Sequence, residues 1–545
     1  MTIRWIRTLL SGLCLGAALA AVAHGQARAQ AQAQPPVQAQ GPAPTLRWAG
    51  RGDIGTLDPH SFNEGLTDNV LGHVYEQLAR RNRQQQIEPA LAESWTVVDD
   101  TTWRFTMRAG VKFSDGTPLS AADAVFSIER AQQATSQQAF FARQLGKPVL
   151  LDERRFELRL EKPNPLLLEH QLNVRIMSAA WCRANNAVQV PNFTNKEEAF
   201  STRRAMGTGP FVIESFEPGV RVTLARHAGW WDRFEGNVAR AVYTPIASDS
   251  TRTAALLAGD IDFTHDTPPQ DITRLARESV VKLAQGPENR VLFFVMDQHR
   301  DELLHGSVKG RNPFKDVRVR EAFNLAIDAE AIKSATMRGQ SVPTGCMATA
   351  AVGCLAPELE RRTAADPARA RRLLAEAGYP DGFEVTLDCP NDRYVNDQAI
   401  CVATAAMLGR VGVKVRVDAR PKTVFFQKIE RFDTSFYLIG WGGGTTDAQG
   451  ILDPILHRPE PRTQKGGYNY GRVGDEATDR LIDAAGTDMN ASRRAATIAQ
   501  AQRRVREQHF VVPLHRQMIT WAARRNVSVV VMPDAAVRLN WVRID

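Results

Sequence analysis

The sequence predicts an α/β protein. Three observations point there: segments that alternate apolar and polar residues, short runs that are apolar throughout, and helices with clear start and stop signals interleaved with both. Trp103-Arg104-Phe105-Thr106-Met107 alternates with period two, as do Phe156-Glu157-Leu158-Arg159-Leu160 and Val220-Arg221-Val222-Thr223-Leu224. Residues 291–296 are apolar without interruption, which fits a strand covered on both faces. Residues 436–439 look similar, and 413–417 is read as a strand with them, its valines at 413, 415 and 417 separated by Lys414 and Arg416. Ser120-Ala121-Ala122-Asp123 is a capping box that opens a helix carrying Val125, Phe126 and Ile128. Asp316 caps a helix over 317–327. Asp366-Pro367 starts another that stops at Gly378. A helix near 397–409 feeds the strand at Val413 through Val411-Gly412. There is no internal repeat.

The chain has 545 residues, room for three or four units at about 150 residues each. Hydrophobic content of 43% and charged content of 23% exclude global disorder, a disulfide mini-scaffold and a polytopic membrane protein. A formal charge of +8 raises nucleic acid or an acidic surface as partner. The N-terminus weakens that reading. Arg4 and Arg7 precede an apolar stretch over 8–23, and Ala27-Arg28-Ala29 offers a cleavage site before Gln30, with Ala23-His24-Gly25 as the second choice. This is the pattern of a secretory signal peptide over 1–29; the stretch is short of the roughly 20 apolar residues a span needs. Cys14 sits inside the apolar stretch behind Leu13, where a lipoprotein signal wants a small residue, so the expected product is soluble and exported rather than lipid-anchored. Cleavage removes Arg4, Arg7 and Arg28 and no acid, taking 68 basic residues to 65 against 60 acidic. The remaining arginines are spread, with short runs such as Arg80-Arg81 and Arg524-Arg525, so no nucleic-acid partner is expected. Residues 30–44, rich in Ala, Gln and Pro, read as a flexible leader.

Export into an oxidising compartment permits disulfides. Cys346 and Cys354 bracket a short loop, and Cys389 and Cys401 flank a strand-to-helix turn. Local pairs are expected, leaving Cys182 free. The rival reading, a metal site, has no C-x-x-C and no histidines at ligand spacing to support it.

Catalytic signatures are missing. There is no G-x-S-x-G, no G-x-x-x-x-G-K-[ST] and no H-E-x-x-H. Gly207-Thr208-Gly209 lacks the third glycine of a dinucleotide loop and reads as a tight turn before a strand at 211–213. His265-Asp266 and His299-Arg300-Asp301 read as surface pairs, and His515 as core or interface packing. The densest glycine cluster, Gly442-Gly443-Gly444, follows the strand that ends at Trp441. Ligand crevices in open α/β sheets lie beyond strand carboxyl ends, where glycines let backbone approach a ligand; the plain alternative is a flexible turn, with Trp441 as core.

Ordered motifs carry a resemblance. They begin with Thr56-Leu57-Asp58-Pro59-His60, Val74-Tyr75-Glu76-Gln77-Leu78 and Pro89-Ala90-Leu91-Ala92-Glu93-Ser94-Trp95. Val111-Lys112-Phe113-Ser114-Asp115-Gly116-Thr117-Pro118-Leu119, running into Ser120–Asp123, is the most diagnostic. Gly229-Trp230-Trp231-Asp232, Gly259-Asp260-Ile261-Asp262, Phe314-Lys315-Asp316-Val317-Arg318-Val319-Arg320 and Leu373-Leu374-Ala375-Glu376-Ala377-Gly378-Tyr379 follow. From about Thr45 to Asp545 the chain resembles the family 5 solute-binding proteins of bacterial ABC importers, the dipeptide, oligopeptide and nickel group. The resemblance implies a two-lobed periplasmic-binding-protein-like (type II) α/β fold with an extra subdomain in the first lobe. Lobe one would span 45–290, with the subdomain at about 91–204, lobe two 291–512, and 513–545 would return to lobe one. It implies a periplasmic monomer that captures a small peptide-like solute and hands it to the importer's membrane permease, with no catalytic group and no cofactor. Nickel-chelate or haem binding is the alternative within the family; an exported hydrolase is the alternative from another class.

Peptide binders of this family place an Asp three residues after the Trp of the Gly-Trp motif, for the ligand α-ammonium. Here that position is Gly444. Asp447 replaces it if the loop bends; otherwise the solute lacks a free ammonium there, or is a modified peptide such as a γ-linked one. Arg393, in Asn391-Asp392-Arg393-Tyr394, is the candidate for a ligand carboxylate because its planar fork pairs bidentately; the plain alternative is an exposed arginine at a helix start. Tyr394, Tyr468 and the Trp441–Gly444 run complete the expected site, with Tyr470 a cleft or turn residue.

Overall fold

Alternation becomes one-sided burial. In the strand Thr102–Met107 the side chains of Trp103, Phe105 and Met107 turn inward, and Phe105 stacks on Phe156 at 5.4 Å between ring centroids. The computed structural model describes residues 44–442, 447–460, 463 and 465–545; the signal peptide and nearly all of the leader read from the sequence lie outside them.

Most strands join one mixed sheet. From one edge its order is Lys414–Arg420, Glu384–Pro390, Phe436–Trp441, Val281–Met296, Val511–Arg524, Phe263–Thr264, Thr45–Gly50, Arg240–Pro245, Arg221–Arg226, Phe211–Glu217. The short strand Ser341–Pro343 pairs with Val511–Arg524 off this path. A separate antiparallel sheet runs Ala92–Asp99, Thr102–Met107, Arg155–Arg159, Lys147–Leu150 and closes over its own apolar core with the helix Ala121–Ala131. That helix starts as its capping box requires: Asp123 accepts hydrogen bonds from the Ser120 N–H at 2.9 Å and hydroxyl at 2.8 Å. Other apolar clusters gather around Trp48 and Phe211, around Phe323 and Leu387, and around Phe293 and Leu452.

The apolar run at 291–296 is fully buried, but its strand is longer than the run, starting at Val281 with a half-exposed first part. Its pairing with Val511–Arg524 slips between Pro287 and Val291, whose partners are Met518 and Arg516. Glu288, Asn289 and Arg290 therefore stand out of the ladder as a bulge.

The Thr56–His60 motif is a buried tie. Asp58 and Arg130, both without solvent exposure, form a two-pronged ion pair at 3.0 and 2.5 Å. His60 accepts from Arg130 at one ring nitrogen and donates to the Arg175 carbonyl from the other; burial and the Arg130 charge push its pKa down to about 4. The Gly207–Gly209 turn is glycine-rich for close approach: a Cβ at Gly207 would sit 2.1 Å from the Val74 carbonyl oxygen. Cys346–Cys354 and Cys389–Cys401 are disulfides, with Cα atoms 6.3 and 6.8 Å apart, and Cys182 is a free buried thiol. No helix among the described residues is long and apolar enough to cross a membrane.

Candidate functional site

A cleft of about 2070 Å³ opens beside the strand bulge. Chain segments on either side of that bulge line it: Phe62, Glu64, Asp68, Glu76 and Trp230 from before it, and Arg393, Tyr394, Trp441, Gly442 and Tyr468 from after it, with Glu288, Asn289 and Arg290 themselves at its wall.

Tyr394 organises the later wall. Asp397, opening the helix Asp397–Gly409, accepts the backbone N–H groups of Arg393 and Tyr394 at 3.0 Å each. The Tyr394 hydroxyl donates to the Gly440 carbonyl at 3.2 Å. The guanidinium carbons of Arg393 and Arg290 lie 5.4 and 5.8 Å from the Tyr394 ring centre, within cation–π range. Arg290 is neutralised by Glu288 at 2.8 Å. Arg393 has no carboxylate partner among the described residues; burial and the neighbouring Arg290 charge push its pKa down. A guanidinium fork has the geometry to pair bidentately with a carboxylate.

Trp441 donates its indole N–H to the Gly450 carbonyl at 2.8 Å. Its ring packs on Tyr468 at 4.9 Å, and Tyr468 in turn lies 6.4 Å from Tyr470. These rings form an apolar shelf at the cleft. Gly443 and Gly444 lie outside the described residues. Asp447 is turned to Arg494, which grips both its oxygens at 2.5 and 2.6 Å, and it does not line the cleft. The ion pair needs Arg494 to reach back 47 residues, a partnership that spacing from Trp441 does not reveal.

The earlier wall brings residues that motif reading missed. Glu64 caps the helix Gly65–Leu71 by accepting from Leu66 and Thr67 N–H. Asp68, on that helix, has no hydrogen-bond or ion-pair partner for its carboxylate among the described residues, and burial pushes it up to about 7 against the pull of Arg175. Glu76 receives both indole N–H groups of Trp230 and Trp231, at 3.2 and 2.8 Å, so two sequence motifs meet in one contact; burial lifts Glu76 to about 7. His265-Asp266 is not a detached surface pair. Trp48 donates to His265 Nδ1 at 2.8 Å, and both His265 and Asp266 reach the cleft. The remaining histidine of interest, His515, is fully buried, as core packing requires. No group of three or more His, Cys, Asp and Glu side chains is placed to hold a metal ion among the described residues.

The family model for bacterial extracellular solute-binding proteins, family 5, matches residues 86–461. The chain belongs to that family. Among curated relatives, the glutathione-binding protein GsiB of Salmonella typhimurium is 25% identical over 494 residues, covering 88% of this chain and 90% of the relative; that of Escherichia coli is 25% identical over 497 residues at the same coverage. Among solved structures, a Pseudoalteromonas dipeptide-binding protein in complex with Met-Leu superposes with a TM-score of 0.77 at 21% identity, over 92% of this chain and 100% of that one. NikZ of Campylobacter jejuni in complex with Ni(L-His) gives a TM-score of 0.74 at 18% identity, over 89% and 95%. The fold is thus the α/β periplasmic-binding-protein fold of this family 5 class. This family 5 protein is the solute-binding component of an ABC transporter, not an enzyme. Its family works outside the cytoplasm, in the periplasm or extracellular space.

Proposed function

We propose that this family 5 protein captures a small peptide-like solute in the cleft and delivers it to an ABC importer's permease. The observation that carries the reading is Arg393: its backbone is held by Asp397, and its guanidinium lies against the Tyr394 ring at the cleft wall without an acidic partner among the described residues. Arg393 takes a solute carboxylate, while Trp441, Gly442, Tyr394 and Tyr468 pack along the solute. GsiB is named for glutathione, a γ-linked tripeptide, and the Pseudoalteromonas protein holds Met-Leu; both support a peptide-like cargo.

A two-lobed working cycle would turn at the bulge. Lobe one over 45–290 with 513–545, and lobe two over 291–512, would meet where the pairing of the two long strands slips at Pro287–Val291. Bending there moves the walls as bodies, and a solute touching both shifts the balance toward the closed form. The four-stranded sheet with its own core serves as lobe one's extra subdomain. With a signal peptide over 1–29 removed and a leader over 30–44, the mature chain works in the periplasm as a soluble monomer.

Calorimetric titration of protein stripped of solute by unfolding and refolding tests this. Saturable binding of a dipeptide or of glutathione at one site per chain is expected. Binding of the nickel–histidine chelate alone, or of none of the three, rejects the reading.

A further inference from the structure

We propose that Asp453 and the rings of Trp441 and Tyr468 form a second subsite of the cleft, which takes a cationic group of the solute, an ammonium or a guanidinium. This rests on the peptide-like reading above and names the solute chemistry that the later wall recognises besides the carboxylate at Arg393.

Direct contacts assemble the subsite. Asp453 and Pro454 lie in the π-turn Leu452–Leu456, which continues the short helix Gln449–Ile451. Pro454 has no N–H to give the Gly450 carbonyl one helical turn before it, and the Trp441 indole N–H takes that carbonyl at 2.8 Å. On the other flank the Asp453 carbonyl accepts the Gly466 N–H at 3.1 Å, and the Pro454 carbonyl accepts the Tyr468 N–H at 3.0 Å. Asp453-Pro454 is thus bracketed by Trp441 and Tyr468, whose ring centres lie 4.9 Å apart. All four residues line the cleft.

The charge in this bracket is uncompensated. The Asp453 carboxylate has no hydrogen-bond or ion-pair partner among the described residues, and burial pushes its pKa up. Lys465, which could neutralise it, is paired with Asp483, and His457 lies 3.4 Å from that same acid. Other acids of the region are provided for. Asp447 is held by Arg494, and Asp68 has Arg175 beside it, donating to its carbonyl at 3.3 Å. A carboxylate next to aromatic rings suits a cation leaving water: the carboxylate supplies charge and acceptors, and the rings attract the cation through their quadrupole. With the cation taken there, the position three residues after Trp441 need not be acidic, and it is Gly444. The rival within the chain is Lys162, which lines the cleft and whose charge acts on Asp453; a latch between them would make Asp453 a closure contact instead.

Calorimetry on solute-stripped protein tests this with Met-Leu, Lys-Leu and glutathione, each with its amines free or acetylated. Wild type should bind at least one probe, and acetylating one amine of that probe should weaken it at least tenfold. The α-amine matters if the subsite takes the head ammonium, the ε-amine of Lys-Leu if it takes a side chain. Asp453→Asn should weaken the free-amine probe at least tenfold and the acetylated probe less than twofold. Tyr468→Leu, which removes a partly exposed ring, should also weaken the free probe more than the acetylated one. Lys162→Ala should stay within twofold on every probe. Wild-type affinity for the free probe in Asp453→Asn overturns the assignment, as does indifference of wild type to acetylation, or equal loss on both probes in Tyr468→Leu. Equal losses on both probes in Asp453→Asn, matched by Lys162→Ala, assign Asp453 to a latch and overturn it too. In each of these cases the peptide-like function stands. Binding of no probe overturns both.

Discussion

Arg494 holds Asp447 through both terminal guanidinium nitrogens, at 2.5 and 2.6 Å. A largely buried pair of this kind is a structural clamp, because removing one member strands the other charge. Asp447→Ala should therefore lower stability by about 3 kcal/mol and leave solute affinity within about twofold. Denaturant unfolding and calorimetry on the same preparation separate the two effects. A large affinity loss at unchanged stability would assign Asp447 to the solute instead.

Gly440 admits the Tyr394 ring. A Cβ there would lie 2.9 Å from Tyr394 Cε1 and 3.1 Å from Leu292 Cδ1. Gly440→Ala must push Tyr394, and with it the arginines on its face, away from their places. Affinity should drop severalfold, with a stability loss of about 1–3 kcal/mol, the usual range for overpacking. Retained affinity in Gly440→Ala would show that the position of Tyr394 is not set this way.

The Asp58–Arg130 pair ties the N-terminal segment to the helix Ala121–Ala131 with no solvent contact on either side chain. Arg130→Met leaves a buried carboxylate and should destabilise by about 3–5 kcal/mol. Adding Asp58→Leu should recover much of that loss, since an apolar pair of similar size has no charge to desolvate. Chemical denaturation of the single and double variants measures both. A double variant no more stable than the single would show that the loss does not come from the stranded charge.

His515 is fully buried, and neither ring nitrogen has a partner among the described residues. Burial, helped by the Arg362 charge, pushes its pKa down to about 3. The unfolded chain takes up this proton near pH 6.5, the folded chain only near 3. Stability tied to His515 is thus full above 6.5 and falls as the pH drops. At pH 5 the loss is about 2 kcal/mol from this one group. His515→Leu should flatten the decline between pH 7.5 and pH 5 by that amount. Equal declines in variant and wild type would contradict the assignment.

Much of the fold was legible because its signals are local. The capping box at Ser120–Asp123, the alternation at Trp103–Met107 and the Asp366-Pro367 start all concern neighbours within a few residues, and all appear as read. Arg393, Tyr394, Trp441 and Gly442 reach the cleft from the ends of the strands Glu384–Pro390 and Phe436–Trp441, which local pattern marks. The earlier wall was not legible. Asp68 lies on the short helix Gly65–Leu71, and only the tertiary arrangement brings it to the cleft. Arg290 and Glu288 sit in a polar stretch before an apolar run, and their prominence comes from a register slip against a strand more than 220 residues away. Asp447 looked available because its partner lies on a different helix, Ala491–Glu507.

The most direct measurement is mass spectrometry of the solute released by unfolding protein purified without added ligand, compared between wild type and Arg393→Ala. Wild type should release a small peptide-like molecule with a free carboxylate, close to one per chain, and Arg393→Ala, folded to the same melting temperature, should release at least tenfold less. Equal release from both, or a solute without a carboxylate, would contradict a cleft built around Arg393.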